Sequence, residues 1–268
     1  MSIVFAAYAP NAPFLIHPPS FEGVGARSAR ALEDLRLLER VRPEVILVST
    51  PHWVSTGGLR VNVDPHPRQV FDFSGMPPAL AQVRYAPPGA PELARKLVEE
   101  GQRAGLPVQG THDWGLDHGA WAPLMHLAPG ARVPVVPLSI TASDPELHLR
   151  WGRAIRLALL NSPQRVAFIA TGSIVHDFAR FREDPGARWS EGERIEAEVL
   201  ERVVALDQEG LAKFDRRKWD AVKPEGGLGP LFTLLGAVGD DLRPRVVDQD
   251  YAFGGFSMTT VAFEPHQG

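Results

Sequence analysis

The sequence contains no cysteine, and this absence removes several kinds of chemistry. A chain without thiols forms no disulfide bond, holds no metal through thiolate ligands and has no cysteine nucleophile. Any metal ion bound by this protein must therefore be held by histidine, aspartate or glutamate side chains.

The chain also lacks an excess of positive charge. Its formal net charge is -4, so it has no basic surface of the kind that binds nucleic-acid phosphates, and we expect no nucleic-acid partner. No apolar run approaches the length of a membrane span, which predicts no membrane partner. The first residues have neither the basic region nor the cleavage site of a signal peptide, and we expect a cytoplasmic protein.

What the chain does have is the composition of a globular protein. It has 268 residues, 44% of them hydrophobic and 22% charged, which predicts a single domain over residues 1–268. Apolar runs such as Val45–Ser49 alternate with segments of helical periodicity. This order predicts an α/β fold, with a central mixed sheet flanked by helices and the active site at the carboxyl ends of the strands.

Two segments give more specific structural predictions. Residues 25–44 have leucines at helical spacing before Pro43, which predicts one helix that ends there. Residues 131–140 are apolar but contain Pro134 and Pro137. Because proline cannot donate a hydrogen bond to a neighbouring strand, this segment is predicted to be an edge strand or an irregular strand.

Four polar side chains occur in short turns at the ends of apolar elements: His52, His118, His176 and Glu225. Each alone has a structural explanation, such as a surface histidine or a carboxylate at a helix N-terminus. Together, imidazoles and a carboxylate from separate strand ends are the ligands of an Fe(II) site with open coordination positions. Composition alone does not assign the metal.

The order of these motifs resembles that of the class III extradiol ring-cleavage dioxygenases. This superfamily includes the β subunit of protocatechuate 4,5-dioxygenase and plant DOPA dioxygenase. The resemblance covers nearly the whole chain, and its most specific motif is GLDHGAWAPL around His118. The shorter motifs are PHW at His52, a GS turn before His176, and Glu225 before a glycine-rich turn.

The resemblance implies a function and a role for each of these residues. His52 and Glu225 match iron ligands, His176 matches a general acid or base, and His118 matches a second active-site histidine near substrate and oxygen. The implied reaction is the cleavage of a small aromatic diol by Fe(II) and O2, in the catabolism of aromatic compounds. No organic cofactor is implied, and relatives are commonly oligomers, so we expect a homo-oligomer.

The chain departs from the family pattern at the first metal ligand. Where the family has a histidine after the first strand, this chain has Asn11, whose neutral carbonyl oxygen is expected to bind a transition metal more weakly than imidazole does. His17 is the candidate substitute ligand in the same loop. The alternative interpretation of His17, and the favoured one, is a surface residue beside Pro18 and Pro19.

Two other functions are consistent with the same residues. One is a non-catalytic, Memo-like member of the superfamily that binds a small ligand or a protein partner. The other is a hydrolase that uses zinc or another divalent metal to activate water. Retention of all four polar residues favours the dioxygenase, whereas Asn11 favours a member that has changed its function.

Residues beside the four motifs have candidate supporting roles. Asp117 is a candidate to orient His118, and Ser173 to donate a hydrogen bond, whereas Asp177 is as well explained by a solvated turn. Arg180 and Arg182 are candidate partners for a carboxylated substrate. Three aromatic residues could be walls of a substrate pocket or parts of the core: Trp53, Trp121 and Phe178.

Overall fold

The computed structural model describes residues 3–142, 144–182, 184 and 186–265, and these form a mixed sheet of eight strands with helices on both faces. The strands are β1 (Ile3–Ala9), β2 (Val45–Val54), β3 (Leu59–Asn62), β4 (Val108–Thr111), β5 (Val135–Ile140), β6 (Val166–Thr171), β7 (Leu242–Ala252) and β8 (Phe256–Pro265). The helices are α1 (Ala26–Asp34), α2 (Pro91–Arg103), α3 (His118–Leu127), α4 (Pro145–Leu159), α5 (Ser190–Val204), α6 (Gln208–Ala212), α7 (Arg216–Val222) and α8 (Gly229–Val238). The predicted α/β architecture is confirmed.

The strand order is β4-β3-β5-β2-β6-β1-β8-β7, and its centre is parallel. Strand β6 pairs in parallel with both β1 and β2, and β2 pairs in parallel with β5. These strands are apolar on both faces because helices cover both sides of the sheet. The carboxyl ends of β1, β6 and β2 consequently lie side by side at the same end of the sheet.

Each face of the sheet has its own hydrophobic core. Helices α2, α4, α5 and α8 cover one face, with Trp151 in its core, and α1 and α3 cover the other, with Trp121 in its core. Both tryptophan side chains are fully buried. Among the described helices, none is long and apolar enough to cross a membrane.

Residues 131–140 were predicted to form an edge or irregular strand; the edge position is wrong, whereas the pairing of β5 with β2 does have an irregular register between Ser49 and Val54. Strand β5 lies inside the sheet, between β3 and β2, and Pro137 pairs with Val48 of β2. On its other side β5 pairs with β3 at one residue pair, Val61 and Leu138. Few ladder hydrogen bonds are needed there, so a proline nitrogen is tolerated in an interior strand.

The predicted helix over residues 25–44 is broken in the structure. Helix α1 ends at Asp34, Arg36 has a left-handed backbone (φ 49°), and a π-helical turn follows at Leu37–Val41. The break changes which leucine faces the core, because Leu37 is buried whereas Leu38 is partly exposed. Burial of Leu37 thus overrides the continuous helical pattern.

The contact between α4 and α8 gives a test of this packing. A Cβ atom on Gly152 would lie 2.1 Å from the carbonyl oxygen of Thr233, so the two helix backbones touch. We expect Gly152→Ala to lower the free energy of unfolding by about 1–3 kcal/mol through overpacking. Urea denaturation measures this effect. Leu157→Ala, on the exposed face of the same helix, serves as the control and should change stability far less.

Candidate active site

The three neighbouring strand ends bring the predicted site residues together. Asn11 follows β1, His52 lies near the end of β2, and His176 follows β6. His52 Nε2 lies 3.1 Å from Glu225 Oε1 and 3.2 Å from Asn11 Nδ2, and His176 Nε2 lies 3.8 Å from the same Glu225 oxygen. Four residues from distant parts of the chain therefore converge on one point.

A tight glycine turn places Glu225 at this point. The Glu225 amide donates a hydrogen bond to the Ser173 carbonyl (3.0 Å), which anchors the turn to the segment after β6. Gly226 has φ +56°, and a Cβ atom there would lie 2.8 Å from the Cβ of Pro51. Only glycine fits this conformation so close to Pro51, the residue before His52.

Asp72 is a site residue that the sequence interpretation missed. Its carboxylate lies between two imidazoles: Oδ2 is 2.8 Å from His52 Nδ1, and Oδ1 is 2.8 Å from His118 Nδ1. The backbone amide of His118 also donates to Oδ1 (2.8 Å). Asp72 lies in an irregular loop without a recognisable motif. The sequence feature that could have identified Asp72 is its position between Phe71 and Phe73, since a carboxylate inside an apolar segment needs a buried partner.

The close pairing of these groups shifts their pKa values. Burial by itself would lower the pKa of His52, but its hydrogen bonds with Asp72 and Glu225 outweigh burial and raise that pKa to about 10. Burial by itself would raise the pKa of the Asp72 and Glu225 carboxyls, yet the histidines beside them hold each pKa below its ordinary value. Both Asp72 and Glu225 are therefore carboxylates at neutral pH.

Asp117 does not contact the His118 ring as the sequence interpretation expected. Instead it caps α3, accepting hydrogen bonds from the Ala120 amide (3.1 Å) and from Trp114 Nε1 (2.9 Å). Its complete burial raises its pKa. The carboxylate that contacts the His118 ring is thus Asp72, and Asp117 caps the helix that begins at His118.

The structure does not bring His17 into this cluster. Its side chain is exposed, and Nδ1 lies 2.8 Å from the hydroxyl of Ser20 in the same loop. Asn11, in contrast, is buried beside His52. The position expected for the first ligand is thus occupied by the asparagine and not by the nearby histidine.

The cluster forms the floor of a cavity of about 520 Å³. Ser173 and Phe178 line it together with the four converging residues, whereas Trp53 and Trp121 do not. Trp121 lies behind Phe73, a residue that lines the cavity, and their ring centroids are 6.1 Å apart. Three aromatic residues were candidates for the pocket wall: Trp53, Trp121 and Phe178. Of these, only Phe178 lines the cavity.

The atoms at the floor fit a divalent metal ion. Ligand atoms about 2.1 Å from a metal and at right angles to each other lie about 3.0 Å apart, close to the spacing around His52 Nε2. The Asn11 amide presents its oxygen after a simple flip. Among the described residues, Glu225 Oε2 is buried without a hydrogen-bond partner, which leaves a carboxylate oxygen free for a metal.

A second set of potential ligands shares His52. The ligand atoms of His52, Asp72 and His118 all lie within 4.8 Å of one another. In this set, however, Asp72 is at hydrogen-bonding distance from both Nδ1 atoms. Such a carboxylate commonly orients a metal-binding histidine and leaves Nε2 as the ligand atom. The geometry thus favours the metal position at Asn11, His52 and Glu225.

Comparison with known proteins is consistent with this site. Residues 22–264 match the family model described as the catalytic LigB subunit of aromatic ring-opening dioxygenase, and the chain belongs to this family. Enzymes of this family depend on a metal.

Individual relatives extend over most of the chain. It is 30% identical over 233 residues to a 4,5-DOPA dioxygenase extradiol of Mirabilis jalapa (84% of each chain). It is 39% identical over 229 residues to the protein of that name from Beta vulgaris (83% of each chain). The crystal structure of the uncharacterised protein JW3007 from Escherichia coli K12 shares the fold, with a TM-score of 0.74 and 22% identity over 97% of this chain and 99% of that one.

The pairing of His52 with Asp72 predicts a pH dependence of stability in the metal-free protein. The folded-state pKa of His52, about 10, lies above the ordinary value of 6.5, so protonated His52 stabilises the folded state. This stabilisation is complete below pH 6.5 and is lost as the pH rises through 10. Chelator-treated protein should therefore be less stable toward urea at pH 10 than at pH 7.

Asp72→Asn should weaken that pH dependence, because it removes a carboxylate that favours the imidazolium form. Asp220→Asn, an exposed position on α7, is the matched control and should behave as the wild type does. An unchanged pH dependence in Asp72→Asn would show that the pair does not set the pKa of His52.

Proposed function

We propose that this protein is a non-haem Fe(II)-dependent extradiol dioxygenase, which cleaves the ring of a catechol with O2. The observation that carries the proposal is the convergence of Asn11, His52 and Glu225 at the floor of an aromatic cavity that His118 and His176 also line. The names of the relatives, extradiol dioxygenases acting on DOPA, support the same reaction type.

In this proposal Asn11, His52 and Glu225 hold the metal. Asp72 fixes the His52 ring through Nδ1, so that Nε2 is presented to the cavity. Bound iron would supply Lewis acidity toward the diol and the redox capacity that dioxygen chemistry requires. The side chains of His52 and Glu225 are only 22% and 13% exposed, which limits the access of water to this part of the site.

His176 is the proposed acid and base. Its Nε2 lies 3.8 Å from Glu225 Oε1, so a diol hydroxyl bound beside Glu225 is within reach of this nitrogen. The His176 amide donates to the Val222 carbonyl (2.8 Å), and its ring packs edge-on against Phe178 and Phe256. These contacts hold the imidazole in place while it accepts a proton from the diol and later returns it.

His118 has a different proposed role because Asp72 engages its Nδ1. Its ring packs edge-on against His52 (centroids 4.1 Å apart) and against Phe73 (5.2 Å). The remaining nitrogen, Nε2, is available to donate a hydrogen bond to substrate or oxygen in the cavity. Asp72 therefore couples the orientation of a metal ligand to that of a substrate-facing histidine.

The alternatives of a zinc hydrolase and a non-catalytic Memo-like protein are not favoured, because relatives covering most of the chain are named as dioxygenases. A cytoplasmic location and a homo-oligomer stay predictions from the sequence.

Iron titration and oxygen uptake distinguish the dioxygenase from the hydrolase and from the non-catalytic protein. Anaerobically purified, chelator-treated protein is loaded with Fe(II) or Zn(II), and oxygen uptake is measured with a panel of catechols.

We expect about one iron per chain and oxygen uptake that requires both iron and a catechol. Hydrolysis of esters or amides by the zinc-loaded protein, without oxygen uptake, would instead support the hydrolase. Absence of iron binding and of oxygen uptake with every catechol would contradict the dioxygenase proposal.

Variants at the first ligand position test which residue completes the metal site. Asn11→His should tighten Fe(II) binding by about tenfold or more, since imidazole is a stronger ligand than a neutral amide oxygen. His17→Ala is the matched control in the same loop and should leave iron affinity unchanged. Equilibrium titration against a competing chelator measures both values. Loss of affinity in His17→Ala would assign the third ligand to His17.

A further inference from the structure

The carboxylates and imidazoles that line the cavity cluster at its floor. The rest of the lining, which forms the walls, is mostly apolar. It comprises Ala12, Pro13, Ser74, Gly75, Met76, Ser173 and seven phenylalanines: Phe14, Phe21, Phe73, Phe178, Phe181, Phe253 and Phe256. Most of these rings pack edge-on against each other, with centroids 4.9 Å apart for Phe14 and Phe21 and 5.1 Å apart for Phe178 and Phe256. The walls therefore offer a substrate apolar contacts and few hydrogen bonds.

Among the described residues, no lysine or arginine lines the cavity. Arg180, a candidate for binding a substrate carboxylate, instead lies over the Trp189 ring, 3.8 Å from its centroid, with Nε 3.7 Å from Asp177. Lys223 is also paired with Asp177, at 2.9 Å. Arg180 and Lys223 thus pair with groups that do not line the cavity, and Arg182 does not line it either.

A substrate carboxylate would consequently be poorly accommodated. It would lose hydration against the phenylalanine walls without gaining an ion pair, and burial of an unpaired charge is costly. The charged carboxyl groups that line the cavity, Asp72 and Glu225, carry the same sign as a carboxylate and repel it. Within the part of the chain that the structure describes, an ammonium group would likewise find no carboxylate lining the cavity other than Asp72 and Glu225.

An apolar substituent, in contrast, fits the upper part of the cavity. The volume of about 520 Å³ is in the range of drug-sized ligands and exceeds what a bare catechol ring requires. Phe178 and Phe181 are 71% and 50% exposed, unusual values for phenylalanine, and both line the cavity. A substituent that extends from the floor toward them would cover this exposed apolar surface.

We propose that the cavity selects catechols carrying an uncharged alkyl or aryl substituent and discriminates against carboxylated or zwitterionic catechols. The proposal rests on the ring cleavage proposed above and names its substrate class. The proposed substrate preference differs from that of the relatives whose names specify DOPA, a catechol with a carboxylate and an ammonium group.

The test compares two groups of catechols by activity and by binding. 4-tert-Butylcatechol and 2,3-dihydroxybiphenyl represent the apolar group, and protocatechuate, 3,4-dihydroxyphenylacetate and L-DOPA represent the charged group. Oxygen uptake by the iron-loaded enzyme gives kcat/KM, and anaerobic titration gives Kd for the iron-loaded and the metal-free protein. We expect the apolar group to be favoured about tenfold or more in both kcat/KM and Kd.

A positive charge introduced into the wall should weaken or cancel this preference. Phe181→Arg places a cation at the cavity wall, and we expect it to improve binding of protocatechuate relative to 4-tert-butylcatechol by about tenfold. Phe178→Arg, at an even more exposed position, provides a second variant if the first does not fold. Val204→Arg on α5, a residue 46% exposed that does not line the cavity, is the matched control and should retain the wild-type preference.

The two proposals fail in different ways. Equal or tighter binding of the carboxylated catechols by the wild type, or an unchanged preference in both arginine variants, would overturn the proposed selectivity while ring cleavage could still occur. Preferential binding of the apolar catechols supports the selectivity even if no oxygen is consumed, whereas lack of oxygen uptake with every catechol contradicts the ring-cleavage proposal alone.

Discussion

Parallel pairing of β2, β6 and β1 is the constraint on which the rest of this structure depends. Because helices cover both faces of these strands, their side chains are mostly apolar, and the polar groups lie toward the carboxyl ends of the strands. Because the three strands run parallel, their carboxyl ends lie at the same end of the sheet. Asn11, His52 and His176, which are far apart in the chain, meet there without any local motif that connects them. The glycine turn before α8 then brings Glu225 to the same point from the following segment of the chain.

Once these groups meet, electrostatics determines their arrangement. Glu225 and Asp72 are carboxylates in a largely buried region, and each is stabilised there by imidazoles. Removal of one partner from such a buried network leaves an uncompensated charge, which is more costly than loss of a surface ion pair. In the proposed function the same contacts orient the rings of both His52 and His118. A residue in an irregular loop therefore contacts two histidines on different elements.

The separation of a polar floor from aromatic walls links this network to substrate choice. The floor residues fit a metal and a diol, which every catechol possesses, whereas the walls contact only what the catechol carries as a substituent. In the two proposals, reaction type and substrate preference therefore depend on different sets of residues. Asn11 belongs to the floor, so in the proposed function its replacement of the family's histidine affects metal affinity and not the selectivity of the walls.

The sequence by itself determined the α/β class, the family resemblance and the identity of His52, His118, His176 and Glu225 as the polar residues at element ends. These follow from hydrophobic patterning and short motifs, which are local properties. Only the tertiary structure decided that Asp72 and not Asp117 contacts the His118 ring, that Arg180 stacks on Trp189 away from the cavity, and that the proline-containing strand β5 lies inside the sheet. The physical reason is the same in each case. Hydrogen bonding, charge pairing and strand order depend on which distant segments become neighbours, and the loop that carries Asp72 has no periodicity from which its neighbours could be inferred.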